Sequence, residues 1–514
     1  MIRLGIDVGG TNTDGVILNS ENKVLGSSKT ATTKDIFTGI QKTIKTLMES
    51  TKINAAEIKV ATLGTTHCTN AIVERKALNK VGIVRICLPS GSTVPPLLGW
   101  PDDLVVKLEA ITALVHGGYE FNGSPISQLD FDELKQVAEQ FRGKVDSIAV
   151  SGVFSPVLGD QEKEVAAFLG KELPGTPISL SSEIGTIGLI ERENATILNA
   201  ALMSTISHVT KGFERALNDE GVNASIYLGQ NDGTLMTNNF AQKYPIFTIA
   251  CGPTNSIRGA AHLSQEPNAI VVDIGGTTTD IGVLSNSFPR QTSLAVEVGG
   301  VRTNYRMPDI YSIGFGGGTR VYLEGDSWKI GPESVGYQLT EKALVFGGDE
   351  LTTTDVAIGA GYMEIENTDV SHVADIPCDK IYPDFVTMVE HAIDRMKTSA
   401  EDLPVVLVGG GAALMPESLK GASRVIRPSH ASVANAIGAA LGDISGTVER
   451  IYTLENRSHH EILEEAKTEA IQTAIEAGAN PAKIDIIQLE DFPLAYLPGN
   501  AILVRVKAAG PLLV

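Results

Sequence analysis

The chain opens on apolar positions gathered in three stretches, 2–8, 13–18 and the more polar 23–32, and the polar turn Asn19-Ser20-Glu21-Asn22 separates the last two. Such runs bounded by turn residues predict three strands. Residues 35–50 then place Ile36, Ile40, Ile44, Leu47 and Met48 at helical spacing. A short strand is predicted at 60–63. It runs into Gly64-Thr65-Thr66-His67-Cys68-Thr69-Asn70 and a helical 71–75. Residues 81–87 read as a buried strand and 89–101, rich in Pro and Gly, as a loop. Strand and helix alternate over 102–175, with a strand at 145–150 and then the loop 151–156, where α/β folds place ligands. Residues 176–188 read as a link between two halves, and 189–219 as one long amphipathic helix. Later elements are strands at 224–228 and 270–272, a helix at 384–398, an apolar strand at 405–408 and a small-residue helix at 432–441. A helix at 459–477 and strands near 484–489 and 501–507 predict a small C-terminal α/β appendage, a possible partner surface. The expected class is α/β, with domains 1–180, 181–450 and 451–514.

One stretch occurs twice. Residues 7–14 read Asp-Val-Gly-Gly-Thr-Asn-Thr-Asp and 273–280 read Asp-Ile-Gly-Gly-Thr-Thr-Thr-Asp, identical at six of eight positions. An apolar run enters and another leaves each copy, so each predicts strand, tight turn, strand. Paired glycines let backbone N–H groups approach a ligand, and successive N–H groups beside Thr hydroxyls form an anion-binding concavity. An Asp at a strand end can hold Mg2+, usually through water. A single Gly-Gly-Thr turn is commonly a plain hairpin. Two matched copies point to a duplicated fold that grips polyphosphate from both sides.

Composition narrows the class. The chain has 514 residues, 43% hydrophobic and 20% charged, with a formal net charge of −20. That balance suits a globular protein of several domains and argues against broad binding to nucleic acid or an anionic membrane. The four cysteines, Cys68, Cys87, Cys251 and Cys378, are far apart. They form no Cys-x-x-Cys pair, so neither a zinc ribbon nor a disulfide framework is expected. The chain enters a strand at once and has no apolar run of membrane-spanning length, so a soluble cytoplasmic protein is expected. The P-loop, His-Glu-x-x-His and strand-linked Gly-x-Gly-x-x-Gly motifs are absent from the sequence.

In order, the two turns and Gly409-Gly410-Gly411 resemble the layout of the actin-like ATPase superfamily. That resemblance implies duplicated, ribonuclease H-like domains facing across a cleft that holds Mg-ATP, with the three glycines beside the adenine or ribose. A finer resemblance is to the hydantoinase A/5-oxoprolinase family. It is carried by Gly5–Asp14, Leu63–Arg75, Ser182-Glu183-Ile184, Glu191-Arg192 with Thr196 and Leu198-Asn199-Ala200, Cys251-Gly252-Pro253 and Val272–Asp280. Asp309-Ile310, Ile313-Gly314, Gly316-Gly317-Gly318, Gly331-Pro332-Glu333-Ser334 and Thr354-Asp355 extend it. Tyr311 stands where members typically carry His, which weakens the case for a second divalent metal. A Pro-Gly-Pro-Ala-Cys-Tyr-Gly stretch after Ser334 is missing, and the long C-terminal domain of larger members does not follow. The resemblance thus implies a short-form member whose substrate can differ from hydantoin or oxoproline.

The implied activity is ATP-dependent opening of a cyclic amide (hydantoin, oxoproline or a related lactam) by phosphorylation of its carbonyl oxygen. The alternatives are the ATP-using subunit of a ketone or amide carboxylase, a non-catalytic ATP-binding switch, and a small-molecule kinase. Gly9, Gly10, Thr11 and Thr13 would cradle phosphate from one side, and Gly275, Gly276, Thr277 and Thr278 from the other. Asp7 and Asp273 would organise Mg2+ and serve catalysis. Gly316 and Gly317 would lie near the ligand. His67 would act on the substrate or metal side, or else be a structural loop residue. Asp309 would ligate a metal or touch substrate, or else be structural. Cys68 reads as a buried neutral thiol, and Glu183, Glu191 and Arg192 as an ion pair at the domain junction. The implied partners are the cyclic amide and possibly a second subunit, in a homo- or hetero-oligomer.

Overall fold

The computed structural model describes residues 2–10, 12–33, 35–292, 296–455, 457–495, 497 and 500–513. Two mixed sheets carry the fold, and both begin the same way. In the first, strand Ile2–Val8 pairs antiparallel with Asn12–Leu18, which pairs antiparallel with Val24–Ala31. On its other side Ile2–Val8 pairs parallel with Ile58–Thr65, and that strand pairs parallel with Ser225–Gly229. In the second sheet Ala269–Ile274 pairs antiparallel with Thr279–Ser285, which is followed by Phe288–Pro289. Leu403–Val408 and then Ala422–Ile426 lie parallel on the other side. Five strands therefore match in order and direction. The repeated octet marks a duplicated topology.

The packing follows from the residue pattern. Leu4, Ile6 and Val8 point to one face of their strand and Gly5 to the other, and helices cover both faces of the first sheet. One is Ile36–Thr51, capped by Asp35, whose carboxylate accepts from the Thr38 N–H at 3.0 Å. Its stripe of Ile40, Ile44 and Leu47 faces the core. The other is Ala434–Ala440, made of small residues. It lies so close that a Cβ on Gly5 would come within 2.7 Å of Ala440 Cβ. Helix Cys251–Ser264 crosses it at backbone contact. A Cβ on Gly259 would overlap the Ala434 carbonyl, and one on Gly438 the Asn255 carbonyl. A third sheet of four parallel strands holds Val81–Leu88, Ile111–His116, Ser147–Gly152 and Ile178–Leu180.

Three expectations are corrected. Residues 189–219 form two helices, Leu189–Ala201 and Met203–Asp219, joined at Leu202. The first is buried on all sides from Arg192 to Ala201, whereas the second buries one face, and apolar spacing alone blurs that change of surroundings. Residues 176–188 are not a link, since Ile178–Leu180 is the edge strand of the third sheet. The C-terminal segment is not an appendage. Strands Asp485–Pro493 and Ile502–Pro511 extend the first sheet through Asp443–Tyr452. Helix His459–Ala477 packs on them through Ala466, Ala470, Ala474 and Ala477. Sheet pairing thus crosses the expected boundaries at 180 and 450, because β partners are set by long-range packing that local composition does not record.

Candidate functional site

Both octets fold as hairpins with one register. Asp7 faces Asp14 across the first, and Asp273 faces Asp280 across the second. Each turn closes through its first glycine: Gly9 N–H donates to Asn12 O at 3.0 Å, and Gly275 N–H to Thr278 O at 2.9 Å. Gly10, Thr277 and Thr278 are exposed at the tips. Among the described residues, no backbone carbonyl accepts from the N–H of Gly10, Gly276, Thr277 or Gly410. These are donors free to meet an anion.

One helix ties the hairpins together. On Cys251–Ser264, the Asn255 amide donates to Asp7 Oδ1 at 3.1 Å, and the adjacent Ser256 side chain lies on the side of Asp273, whose charged form it favours. From the crossing helix, Asn435 Nδ2 reaches Asp7 Oδ2 at 3.0 Å and Asp14 Oδ2 at 2.7 Å. A glycine abuts each carboxylate. Gly64 pairs with Asp7 on the neighbouring parallel strand, and Gly409 directly follows Val408, the partner of Asp273. A Cβ on either would overlap the carboxylate. The two aspartates therefore sit at equivalent positions on either side of one helix.

Burial dominates their chemistry. It pushes both carboxyls up to about 6; the fields of Asp14 and Asp280 add to this, while the Asn and Ser donors pull the other way. Asp14 and Asp280 are raised by burial too; Lys29 opposes the shift at Asp14 and Ser312 at Asp280. An arriving divalent cation would displace protons from such groups. The donor set suits a magnesium nucleotide: open N–H groups at two turns for phosphate, and two carboxylates for a hydrated ion. Among the described residues, no group of three or more His, Cys, Asp or Glu side chains is arranged to hold a metal. Two cavities, at His116 with Gln128–Asp132 and between Ser285–Thr292 and residues 487–507, are lined by none of the turn residues.

The remaining expected site residues divide. Thr11 lies outside the described residues. Thr13 is buried under the first turn with its hydroxyl 3.3 Å from that of Thr32, so it supports the turn rather than facing an open surface. Gly316 and Gly317 brace the second turn from below: Gly317 N–H donates to Gly275 O at 3.0 Å and Gly316 N–H to Thr319 Oγ1 at 2.7 Å. Their N–H donors are engaged by protein, while their place beneath the second turn keeps them next to the expected ligand position. Gly411 is likewise buried, donating to Ile274 O at 2.8 Å, and Gly409 donates to Ala431 O at 2.9 Å; only Gly410 of that trio is exposed. Asp309, expected as a metal or substrate ligand or else structural, is held in an ion pair. It is paired with Arg290 at 2.7 Å, and its strand meets the second hairpin with Ser312, three residues on, opposite Asp280. Tyr311 lies under Arg395, 4.3 Å from the ring centre.

His67 begins the helix that follows strand Ile58–Thr65, beside the first turn, with Nδ1 2.6 Å from Thr65 Oγ1. Burial, helped by His208, lowers its pKa, so it is a neutral imidazole at pH 7. Cys68 is a buried thiol pushed up to about 11 by burial. The expected Glu183–Glu191–Arg192 cluster does not form. Glu183 pairs with Lys243 at 3.0 Å, Glu191 with Arg302 at 4.0 Å, and Arg192 donates to Ser181, Thr186 and Gly152. The buried pair there is Arg85 with Glu193, which Ser151 also contacts.

Sequence reasoning missed Gly64, Lys29, Asn255, Ser256 and Asn435 as site residues. Gly64 sits in the stretch Leu63–Arg75 and Asn435 in the small-residue helix at 432–441, yet neither stretch marks them as site residues. All but Gly64 reach the aspartates through helix crossing and strand pairing.

Two family models match in succession: the hydantoinase/oxoprolinase N-terminal region over residues 3–173, and hydantoinase/oxoprolinase over residues 192–368. The chain belongs to the hydantoinase/oxoprolinase family. An uncharacterized protein of Methanocaldococcus jannaschii is 27% identical over 390 residues, covering 70% of this chain and 56% of that one. Caprolactamase subunit alpha of Pseudomonas jessenii is 24% identical over 383 residues, covering 70% and 54%. The chain spans about half the length of these curated relatives. Among solved structures, ATP-dependent caprolactamase from Pseudomonas jessenii aligns with a TM-score of 0.79 at 18% identity, over 99% of this chain and 87% of that one. Nucleotide-free acetone carboxylase aligns at 0.68 with 16% identity, over 100% and 88%. At these identities the likeness is one of fold, the mixed α/β architecture described above.

Proposed function

We propose that the protein is an ATP- and Mg2+-dependent enzyme that activates the carbonyl oxygen of a cyclic amide and so opens the ring. An amide carbonyl is a poor electrophile because nitrogen donates into it. ATP supplies the phosphoryl group that turns the carbonyl oxygen into a leaving group, after which water can attack the carbon. Such chemistry asks the protein mainly for positioning and charge neutralisation. The turn N–H groups of Gly10, Gly276 and Thr277 are free for phosphate oxygens, and Asp7 and Asp273 for a hydrated Mg2+. His67, neutral and beside the first turn, is available to accept a proton from the attacking water.

The observation that carries this reading is the matched pair of hairpins, Asp7 opposite Asp14 and Asp273 opposite Asp280, served from one helix whose Asn255 donates to Asp7 and whose next residue, Ser256, favours the charged form of Asp273. Family membership and the relative named as a caprolactamase support a lactam as the substrate class. That relative is a subunit, which supports a second subunit for this chain.

The test is ADP release by the purified chain, alone and with a candidate second subunit, against a panel of lactams and hydantoins. Turnover that rises with one cyclic amide and yields one ring-opened product per ADP is expected. Dependence on bicarbonate would redirect the assignment to a carboxylase. Turnover that needs a partner protein but no small substrate would make it a switch, and a stable phosphorylated product would make it a kinase.

A further inference from the structure

The cleft aspartates share one cation. Lys29 stands on strand Val24–Ala31 directly opposite Asp14, and its charge acts on Asp7, Asp14 and Asp273. Its ammonium lies 3.2 Å from Asp14 Oδ1 and donates to the Ser432 carbonyl at 3.0 Å. Ser432 belongs to the turn that leads into helix Ala434–Ala440. A Cβ on Gly410, in the turn after the strand beside Asp273, would lie 3.8 Å from the same nitrogen. An ammonium has three donors. Asp14 and Ser432 engage two, and the side chain is 36% exposed.

The hairpin fold does not require this charge. In the second copy the equivalent carboxylate, Asp280, accepts from the Ser312 hydroxyl, and the turn closes in the same way. What differs is reach: Lys29 extends from the first sheet to the glycine turn of the second. Four carboxylates already crowd this cleft, and a triphosphate would add more negative charge than one Mg2+ offsets. A mobile cation held between both turns fits the group whose charge must be balanced as phosphoryl moves.

We propose that Lys29 is a catalytic residue that binds the reacting end of the nucleotide's phosphate tail. It keeps Asp14 as its anchor and exchanges the Ser432 carbonyl for a phosphoryl oxygen. This rests on reading the cleft as an ATP site. Because Lys29 reaches from Asp14 on the first hairpin to the Gly410 turn of the second sheet, it serves the phosphate held between the two turns, so it distinguishes ATP from ADP.

The experiment compares wild type, Lys29→Met and Lys29→Arg. Calorimetric affinities for ATP, ADP and AMP with Mg2+, thermal melting, and the kcat and KM for nucleotide would be measured. Lys29→Met is expected to weaken ATP about 10–100-fold, the range of one charge-assisted hydrogen bond. ADP should change less than about threefold and AMP not at all, while kcat falls about 100-fold or more, as when one charge-stabilising donor is removed. Lys29→Arg should recover most of the ATP affinity. The proposal is overturned if ATP affinity is unchanged, or if ATP, ADP and AMP weaken alike as melting temperature drops, which would make Lys29 a support for Asp14. Wild-type protein that binds no adenine nucleotide would instead overturn the reading of the cleft, and this proposal with it.

Discussion

The two hairpins share six of eight residues and one register, yet they are held by different means. The first is caged by side chains. Both Asp7 oxygens accept amide donors, and Asp14 is shared by Asn435 and Lys29. The second is braced through backbone: Gly317 and Gly318 donate to the carbonyls of Gly275 and Gly276 from beneath. Its Asp273 is half-buried and has the Ser256 side chain in place of two amides. A carboxylate fixed at both oxygens keeps its orientation. One with an open face can change partners as a cation arrives. In the proposed enzyme the same octet would therefore supply a fixed anchor on one side and an adaptable ligand on the other.

The largest expected effect follows from that division. Asp273→Ala should lower Mg-ATP turnover by about 10³-fold or more, the scale of losing a group that organises the reacting charge. Circular dichroism should stay native, since removing a carboxylate that burial disfavours costs the fold little. Asn255→Ala should cost less, because Asn435 still holds Asp7. Wild-type turnover in Asp273→Ala would remove that residue from the site.

The glycines beside the two carboxylates sharpen the contrast in stability. In Gly64→Ala the new methyl meets the Asp7 and Asn255 side chains, in ordinary strand backbone. In Gly409→Ala it also meets the Ile274 carbonyl, and the residue has φ +86, a conformation that disfavours a Cβ. Overpacking costs roughly 1–3 kcal/mol and the backbone strain about 1–3 kcal/mol more. Denaturant unfolding should thus rank Gly409→Ala below Gly64→Ala, and equal midpoints would contradict the backbone account.

The acidity of the aspartates gives a third, milder test. Asp7 and Asp273 are raised to about 6 from the usual 3.8. Their contribution to the fold is thus fully present below about 3.8 and is lost as pH rises through about 6. Cation binding runs the other way, since Mn2+ must displace the protons. Its affinity should climb by up to about tenfold per pH unit for each protonated carboxylate below 6 and level off above it. A flat Mn2+ titration from pH 5 to 7 would show that neither carboxylate is a ligand.

Much of this arrangement was legible in the sequence, and for a physical reason. The strands ending at Val8 and Ile274 are short apolar runs closed by Gly-Gly-Thr, so entry, turn and exit are written locally. The small residues of Ala434–Ala440 likewise announce a close helix crossing. What could not be read is what the crossing brings. Asn255, Ser256 and Asn435 are ordinary polar residues in their own helices, and only the contact at Gly259 and Gly438 aims them at Asp7 and Asp273. Lys29 reads as an outward strand residue until the turn at Ser432 is packed over it. The Gly-rich run at 316–318 was legible only as a close approach, not as to what. Its glycines allow backbone approach to the second turn, with Gly317 and Gly318 donating to Gly275 and Gly276.

Asp309 sets the limit of the second hairpin's charge. If the two sides divide the work as described, the second needs Asp273 and Asp280 and no third carboxylate. Asp309 is engaged by Arg290, which also donates to the Met396 carbonyl, so the ion pair ties the strand Ile310–Ile313 to the end of helix Cys378–Met396. The pair is partly open to solvent, so screening should leave it worth no more than about 1 kcal/mol. Asp309→Asn should therefore change nucleotide affinity and turnover by less than about twofold and lower the melting temperature slightly. A 100-fold loss of turnover at unchanged stability would put a third carboxylate into the second site, and the contrast between a caged anchor and a two-carboxylate partner would have to be redrawn.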